Sequence, residues 1–243
     1  MPKEKIILDC DPGHDDAIAI LLAAKHPSID LKAISVVAGN QTIEKTARNA
    51  INICSAVGIT NVPIAAGMGR PIVRDQLICP EIHGESGLDG PTFGDPIIDL
   101  DKRNGVNLII DTVMESQGDI TIVTTGPCTN AAMAVRLEPR ILPKIKRFVM
   151  MGGTYQLGNI TPAAEFNILC DPEAAHILFT SGRPITMIGL DVTRNALATP
   201  EVVNRIRTLN NKASNLFCDL MDFFTKTQKE VFGWDSPPVH DPT

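Results

Sequence analysis

Short apolar runs alternate with stretches of helical periodicity along the whole chain. Runs rich in Ile and Val at residues 5–9, 31–37, 120–125, 147–151 and 185–189 are bounded by Gly, Asp or Pro and predict strands. Residues 15–26, 42–57, 104–116, 130–137, 171–181, 200–209 and 213–230 predict helices. Two helix starts are explicit. Asp171-Pro172-Glu173 and Thr199-Pro200-Glu201 each supply an N-cap oxygen, a proline at the first helical position and an acid where the helix dipole favours one. Ile6-Ile7-Leu8 and Ile120-Thr121-Ile122-Val123 are nearly continuous apolar runs, which implies burial on both faces and hence a parallel sheet covered by helices. Strand and helix in repetition predict an α/β fold, a mostly parallel doubly wound (Rossmann-like) sheet with helices on both faces. No repeat, low-complexity tract or linker divides residues 1–243, so one domain is expected. Residues 67–103 hold many Gly, Pro and Asp and no clear period, and so long an irregular segment in a compact domain is usually functional or mobile.

Composition narrows the class. A chain of 243 residues can bury about 70–75% of its unfolded surface and needs no disulfide or metal staple. Its formal net charge of −6 argues against a nucleic-acid partner, whose phosphates require a basic surface. The longest apolar run, residues 17–24, is far short of the ~20 residues that span a bilayer. No apolar segment before Asp9 is long enough for a secretory signal. Six cysteines without a C-x-x-C pair read as reduced thiols, so a cytoplasmic protein with no membrane partner is expected.

In open α/β sheets ligands bind beyond the carboxyl ends of the strands, and polar clusters lie there. The first is Asp9-Cys10-Asp11-Pro12-Gly13-His14-Asp15-Asp16, with no Lys or Arg between Lys5 and Lys25 to neutralise it. Crowded carboxylates repel one another and are costly to desolvate, and a bound cation is the simplest remedy. Oxygen ligands without a nearby metal-binding Cys pair suit a hard cation, Ca²⁺ or Mg²⁺. The spacing is not that of an EF-hand, which needs Gly at its sixth and Glu at its twelfth position. The plainer alternative is that Asp9 ends a strand and Asp15 or Asp16 caps a helix.

Asp9-Cys10-Asp11-Pro12-Gly13-x-Asp15-Asp16 closely resembles the N-terminal motif of the inosine–uridine-preferring nucleoside hydrolases. The resemblance continues, in the family's order, through Val37-Ala38-Gly39-Asn40, Thr125-Gly126-Pro127, Met151-Gly152-Gly153, Gly158-Asn159, Ala164-Glu165-Phe166-Asn167, Asp171-Pro172-Glu173-Ala174 and Val239-His240-Asp241. It implies one Ca²⁺ per chain held by Asp11, Asp16, the Thr125 carbonyl and Asp241. It implies a ribose held by Asp15, Asn159, Glu165, Asn167 and Asp241, with Asn40 near the attacking water. Asp11 is then the general base in hydrolysis of a ribonucleoside N-glycosidic bond. The family is usually homo-oligomeric, and its members continue beyond the position of Thr243, so the resemblance implies a domain incomplete at its C-terminus.

The chemistry suits these residue types. A ribose 2′,3′-diol binds Ca²⁺ and hydrogen-bonds strongly to carboxylates. Cleavage builds positive charge at C1′, which carboxylates stabilise. The leaving base needs a proton or hydrogen bond, and His83 and His240 are the candidates, since histidine titrates near neutrality. His26 and His176 read as structural, and His14 receives no role. The stretch around His83 resembles the pyrimidine-preferring members, which points to uridine and cytidine before inosine; only Trp234 is present to stack a purine. Two rival readings stand beside this one. A haloacid-dehalogenase-type phosphatase would use Asp9 as nucleophile and Asp11 as acid, and a non-catalytic ribonucleoside- or Ca²⁺-binding protein would use the same pocket without turnover.

Overall fold

A computed structural model describes residues 2–243. The chain runs β1 (Glu4–Cys10), α1 (His14–Lys25), β2 (Ile29–Val36), α2 (Ile43–Val57), β3 (Ile64–Ala66), α3 (Pro80–His83), α4 (Gly105–Glu115), β4 (Ile120–Thr124) and α5 (Thr129–Leu137). A 3-10 turn (Pro139–Lys144) then leads into β5 (Ile145–Met151), α6 (Phe166–Cys170), α7 (Pro172–Phe179), β6 (Ile185–Ile188), α8 (Leu190–Thr193), α9 (Pro200–Arg207) and α10 (Lys212–Phe232). The strands form one sheet in the order β3-β2-β1-β4-β5-β6, and every neighbouring pair is parallel. The expected doubly wound architecture is borne out.

Period-two alternation explains the two cores. Ile6, Leu8 and Cys10 of β1 pack with α1, α2 and α10, while Ile7 packs on the opposite face with α4 and α5. In α2, Ala47, Ala50, Ile51 and Cys54 form the buried stripe expected of an amphipathic helix. Fully burying a side chain the size of Phe148 or Phe224 contributes about 1.5–3 kcal/mol. Both proline-marked helices start as expected: Asp171 accepts from the Ala174 amide at 3.0 Å, and Thr199 from the Val202 amide at 3.3 Å. All six cysteines are free and buried. Among the described residues no helix is long and apolar enough to cross a membrane.

The differences are short elements. β3 is a three-residue edge strand, too brief to show alternation, and pairs only with Ile34, Ser35 and Val36. The turns α3, α6 and α8 are four or five residues long, too short to show a period, and of the three only α6 has a side-chain N-cap, Glu165. Val37, Thr125 and Gly189, expected as strand residues, lie just past the ends of their strands.

Between β1 and β4 the strand order reverses, which opens the crevice where ligands of such sheets bind. The Thr125 amide donates to the Asp9 carbonyl at 2.8 Å, so the chain leaving β4 lies beside the chain leaving β1. Helix α10 roofs this crevice. It starts in a reciprocal Asn211–Ser214 capping box and buries Phe217, Leu220, Met221, Phe224 and Gln228 along one stripe. The Thr227 hydroxyl on α10 donates to the Ile82 carbonyl at 2.8 Å, tying the irregular 67–103 segment to the roof.

Candidate active site

Asp11 follows β1 directly, and its carboxylate is wedged between two glycines. A Cβ on Gly39 would sit 2.1 Å from Asp11 Oδ2, and one on Gly126 would sit 2.4 Å from Oδ1, so only glycine permits the loops after β2 and β4 to close on it. Asp11 Oδ2 accepts from the Asn40 amide at 2.7 Å; Oδ1 is buried without a hydrogen-bond partner. Asp15 and Asp16 occupy the first turn of α1. Asp16 accepts from the Thr125 hydroxyl at 2.7 Å, from the Gly13 amide at 3.1 Å and from the Asn40 side-chain amide at 3.1 Å. Asp15 accepts from the His240 amide at 3.2 Å, which draws the C-terminal segment onto α1.

These carboxylates crowd without a cation. Ligand oxygens of Asp15, Asp16 and Asp241 lie within 4.8 Å of one another. None of Asp11, Asp15, Asp16 or Asp241 belongs to an ion pair among the described residues. Burial, reinforced by neighbouring acids, holds Asp11 and Asp241 well above the usual carboxylate range and lifts Asp15 to about 7; burial also raises Asp16. Unpaired buried acids, one orphaned oxygen and all-oxygen donors fit a divalent metal ion. The expected ligand residues lie around one place, with a difference in detail: the trio whose oxygens lie within 4.8 Å of one another contains Asp15 and not Asp11.

Asp9, by contrast, points into the sheet. It is fully buried and accepts from Asn130 Nδ2 at 2.9 Å, and the same amide bonds Ser35 Oγ and the Val36 carbonyl at 3.0 Å each. Burial pushes Asp9 up to about 7. It faces no cavity, so the phosphatase reading, which required it as nucleophile, is corrected here.

Next to the acids opens a cavity of about 260 Å³, near the lower end for small-molecule sites. Asp15, Asn40, Thr125, Asn159, Glu165, Asn167, His83, His240 and Asp241 all line it; Asp11 and Asp16 lie beneath its wall. Glu165 caps α6, with its carboxylate accepting from the amides of Asn167 (2.9 Å), Ile168 (3.1 Å) and Gly153 (2.8 Å). Asn167 Nδ2 donates to the carbonyls of Thr125 (2.8 Å) and Met151 (3.2 Å). Asn159 Oδ1 accepts from the Phe166 amide at 2.9 Å. These three side chains therefore brace the loops as well as face the cavity. Arg194 holds the same loop by donating to the carbonyls of Leu157 (2.9 Å) and Gly158 (2.7 Å).

Part of the cavity lining is aromatic. Phe224, Phe232 and Trp234 belong to it, and the rings of Phe232 and Trp234 stack at 4.9 Å. His83 stands on the Phe224 face with ring centroids 5.5 Å apart, and His240 Nδ1 lies 2.7 Å from the Thr193 hydroxyl. Burial depresses both histidines, His83 well below its usual range and His240 to about 4 with help from Arg194. Phe224, Phe232, Gln228, Arg194 and His14 all escape a functional reading from the sequence. Gln228 Oε1 is buried without a partner, and its place four residues after Phe224 on a mostly apolar stripe was the available signal. His14 is fully buried against His83.

Comparison with known proteins decides what this constellation is. Residues 6–243 match the family model described as inosine-uridine preferring nucleoside hydrolase. The chain belongs to that family. It is accordingly an N-glycosyl hydrolase of ribonucleosides. Over all 243 residues it is 55% identical to the pyrimidine-specific ribonucleoside hydrolase RihB of Escherichia coli O17:K52:H18 (strain UMN026 / ExPEC), covering 77% of that relative's length. Among solved structures, the purine-preferring ribonucleoside hydrolase from Gardnerella vaginalis superposes with a TM-score of 0.93 at 36% identity, over 98% of this chain and 77% of that one. The plant nucleoside hydrolase PpNRh1 gives 0.91 at 33% identity, over 99% and 77%.

In this nucleoside hydrolase the glycines around Asp11 are directly testable. Gly39→Ala is expected to lower the melting temperature and the turnover together, because the new methyl group meets both Asp11 Oδ2 and, at 2.7 Å, Pro127 Cδ. Calorimetry and a reducing-sugar assay check it; an unchanged transition would show that the loop yields freely.

Proposed function

We propose that the enzyme hydrolyses pyrimidine ribonucleosides, uridine and cytidine ahead of inosine, to ribose and free base. The observation that carries this reading is one cavity lined both by acids and amides that suit a ribose diol and by aromatic side chains that suit a base. The pyrimidine specificity of the relative at 55% identity supports the choice of base, as does the unpartnered Gln228 carbonyl oxygen, which suits the donor edge of a pyrimidine. Asp11, Asp16, the Thr125 carbonyl and Asp241 would hold one Ca²⁺, which when bound supplies Lewis-acid chemistry toward the diol and a water. Asp15, Asn159, Glu165, Asn167 and Asp241 orient the sugar. Asn40 positions the attacking water, and Asp11 takes its proton as the water oxygen bonds C1′. The C1′–N bond breaks with its electron pair on the base, and His83 or His240 in the cavity wall meets the developing charge. The same reading has the enzyme acting in the cytoplasm on a small-molecule substrate as a homo-oligomer.

A reducing-sugar assay across five ribonucleosides, with and without a chelator, tests the activity and its base preference. Release of no ribose from any of them would leave the non-catalytic binder. Calcium binding to the folded state alone should raise the melting temperature by roughly 5–10 °C at a hundredfold excess over its dissociation constant. A titration that moves neither the melting temperature nor a binding isotherm would remove the metal assignment.

A further inference from the structure

Residues 154–164, between β5 and α6, are fastened to the protein with little apolar burial. Tyr155, Leu157 and Ile160 are all exposed, so polar bonds must fix the segment. Its inner turn closes on itself, with the Gly158 amide donating to the Pro162 carbonyl at 3.0 Å and the Asn159 amide to the Ala164 carbonyl at 3.1 Å. A Cβ on Gly158 would lie 2.1 Å from the Thr161 carbonyl oxygen, so only glycine permits that closure. The outer attachment comes from α8. Asp191 accepts from the Tyr155 amide at 2.9 Å and from the Thr154 hydroxyl at 3.1 Å. Arg194, one turn on, donates to the successive carbonyls of Leu157 and Gly158, and it belongs to no ion pair among the described residues. Helix α8 is itself anchored, since Leu190 is fully buried and its amide donates to the Gly153 carbonyl at 2.9 Å. The peptide unit that joins Gly158 to Asn159 is therefore held at both polar atoms, its oxygen by Arg194 at 2.7 Å and its N–H by Ala164. Asn159 Oδ1 is taken by the Phe166 amide, which leaves the side-chain nitrogen to face the cavity that Asn159 lines.

We propose that Asp191 and Arg194 are positioning residues, a two-point clamp on α8 that sets the Gly158–Asn159 peptide so that the Asn159 side-chain amide meets the sugar. A planar peptide whose oxygen and N–H are both held cannot turn, and its Cα carries the side chain with it. Arginine suits the task because its rigid fork reaches two carbonyls at once, and a charged donor makes the stronger bond. A lysine would reach one. The meeting of Asn159 with the sugar rests on the function proposed above; the clamp on the loop does not. A competing role exists, because Arg194 also lines the cavity and a direct contact with substrate would not pass through Asn159.

A double-mutant cycle on the full chain separates the two. Arg194→Ala and Asn159→Ala are each expected to lower kcat/KM on uridine about tenfold, mainly through KM, the scale of one lost hydrogen bond. The double variant should fall no further than Asn159→Ala alone, within about twofold. Losses that multiply would mean that Arg194 acts independently of Asn159, by touching substrate or by supporting the fold, and would overturn the proposal. p-Nitrophenyl riboside carries the same sugar and should lose as much as uridine; a loss confined to uridine would move the effect to the base and overturn it too. Asp191→Asn keeps an acceptor for the Tyr155 amide and should stay near wild type, whereas Asp191→Ala should follow Arg194→Ala. Amide hydrogen exchange reads the clamp without any turnover. The Asn159 and Ile160 amides, which bond the Ala164 carbonyl, should exchange faster in Arg194→Ala while the sheet keeps its protection. Unchanged exchange there would remove the clamp itself. If Arg194→Ala does not fold, Arg194→Lys goes through the same cycle and the same exchange measurement. Wild-type kinetics in Asn159→Ala alongside faster exchange in Arg194→Ala would sink the sugar assignment and leave the clamp on the loop standing.

Discussion

Asp11→Asn is expected to reduce kcat on uridine by about 10²–10⁴, the loss that accompanies removal of a positioned general base. The substitution conserves shape, which matters because Gly39 and Gly126 leave no spare volume around this carboxylate. An asparagine oxygen still accepts from the Asn40 amide, so the loop after β2 keeps its anchor. What disappears is the second oxygen, Oδ1, buried without a partner and unable to take a proton once it is an amide nitrogen. One negative charge also leaves the cluster, which relieves repulsion with Asp16 and Asp15 and weakens any cation held there. The two effects separate experimentally. If calcium still raises the melting temperature of the variant while kcat falls and KM holds, Asp11 acts on the water's proton; if the calcium response vanishes too, its main task is the metal. Turnover near wild type would remove Asp11 from the chemistry altogether.

How far the sequence foretold this arrangement depends on the range of the interaction concerned. The sheet was legible because continuous runs such as Ile6-Ile7-Leu8 can only be buried on both faces, and the observed cores divide those residues between two layers. The acidic cluster was legible because four aspartates without a neighbouring base are expensive wherever they fold. Edge strand β3 was not, since three residues cannot display a period. The tasks of Glu165 and Asn159 were visible only in part: their places at the cavity follow from the family's motifs, but their capping and bracing of α6 depend on main-chain amides that no pattern of side chains encodes. His14 was invisible for a similar reason. Its partners, His83 and the Asp89 carbonyl, come from an irregular segment about seventy residues away, and only the closure of that segment under α10 brings them to it.

His240→Ala is expected to lower kcat on uridine by about 10²-fold while changing KM little, the pattern of an interaction made mainly in the transition state. His240 and His83 differ in one respect that the geometry makes plain. His83 meets another imidazole, whereas His240 Nδ1 meets the Thr193 hydroxyl at 2.7 Å, and a hydroxyl can donate as well as accept. With Thr193 donating, His240 carries its hydrogen on Nε2 and has a donor to offer a base whose negative charge grows as the C1′–N bond breaks. Such a hydrogen bond strengthens as that charge grows. The sugar contacts lie on Asp15, Asn159, Glu165 and Asn167, so ribose binding should survive the change, although the His240 main-chain amide must keep its 3.2 Å bond to Asp15 for that to hold. p-Nitrophenyl riboside, whose leaving group departs without help, should turn over at nearly the wild-type rate in this variant. Equal losses on both substrates would mean that His240 merely holds Asp241 and Asp15 in place. Thr193→Val adds an independent check: removing the hydroxyl frees the His240 tautomer and should cost uridine turnover several-fold while again sparing the activated riboside.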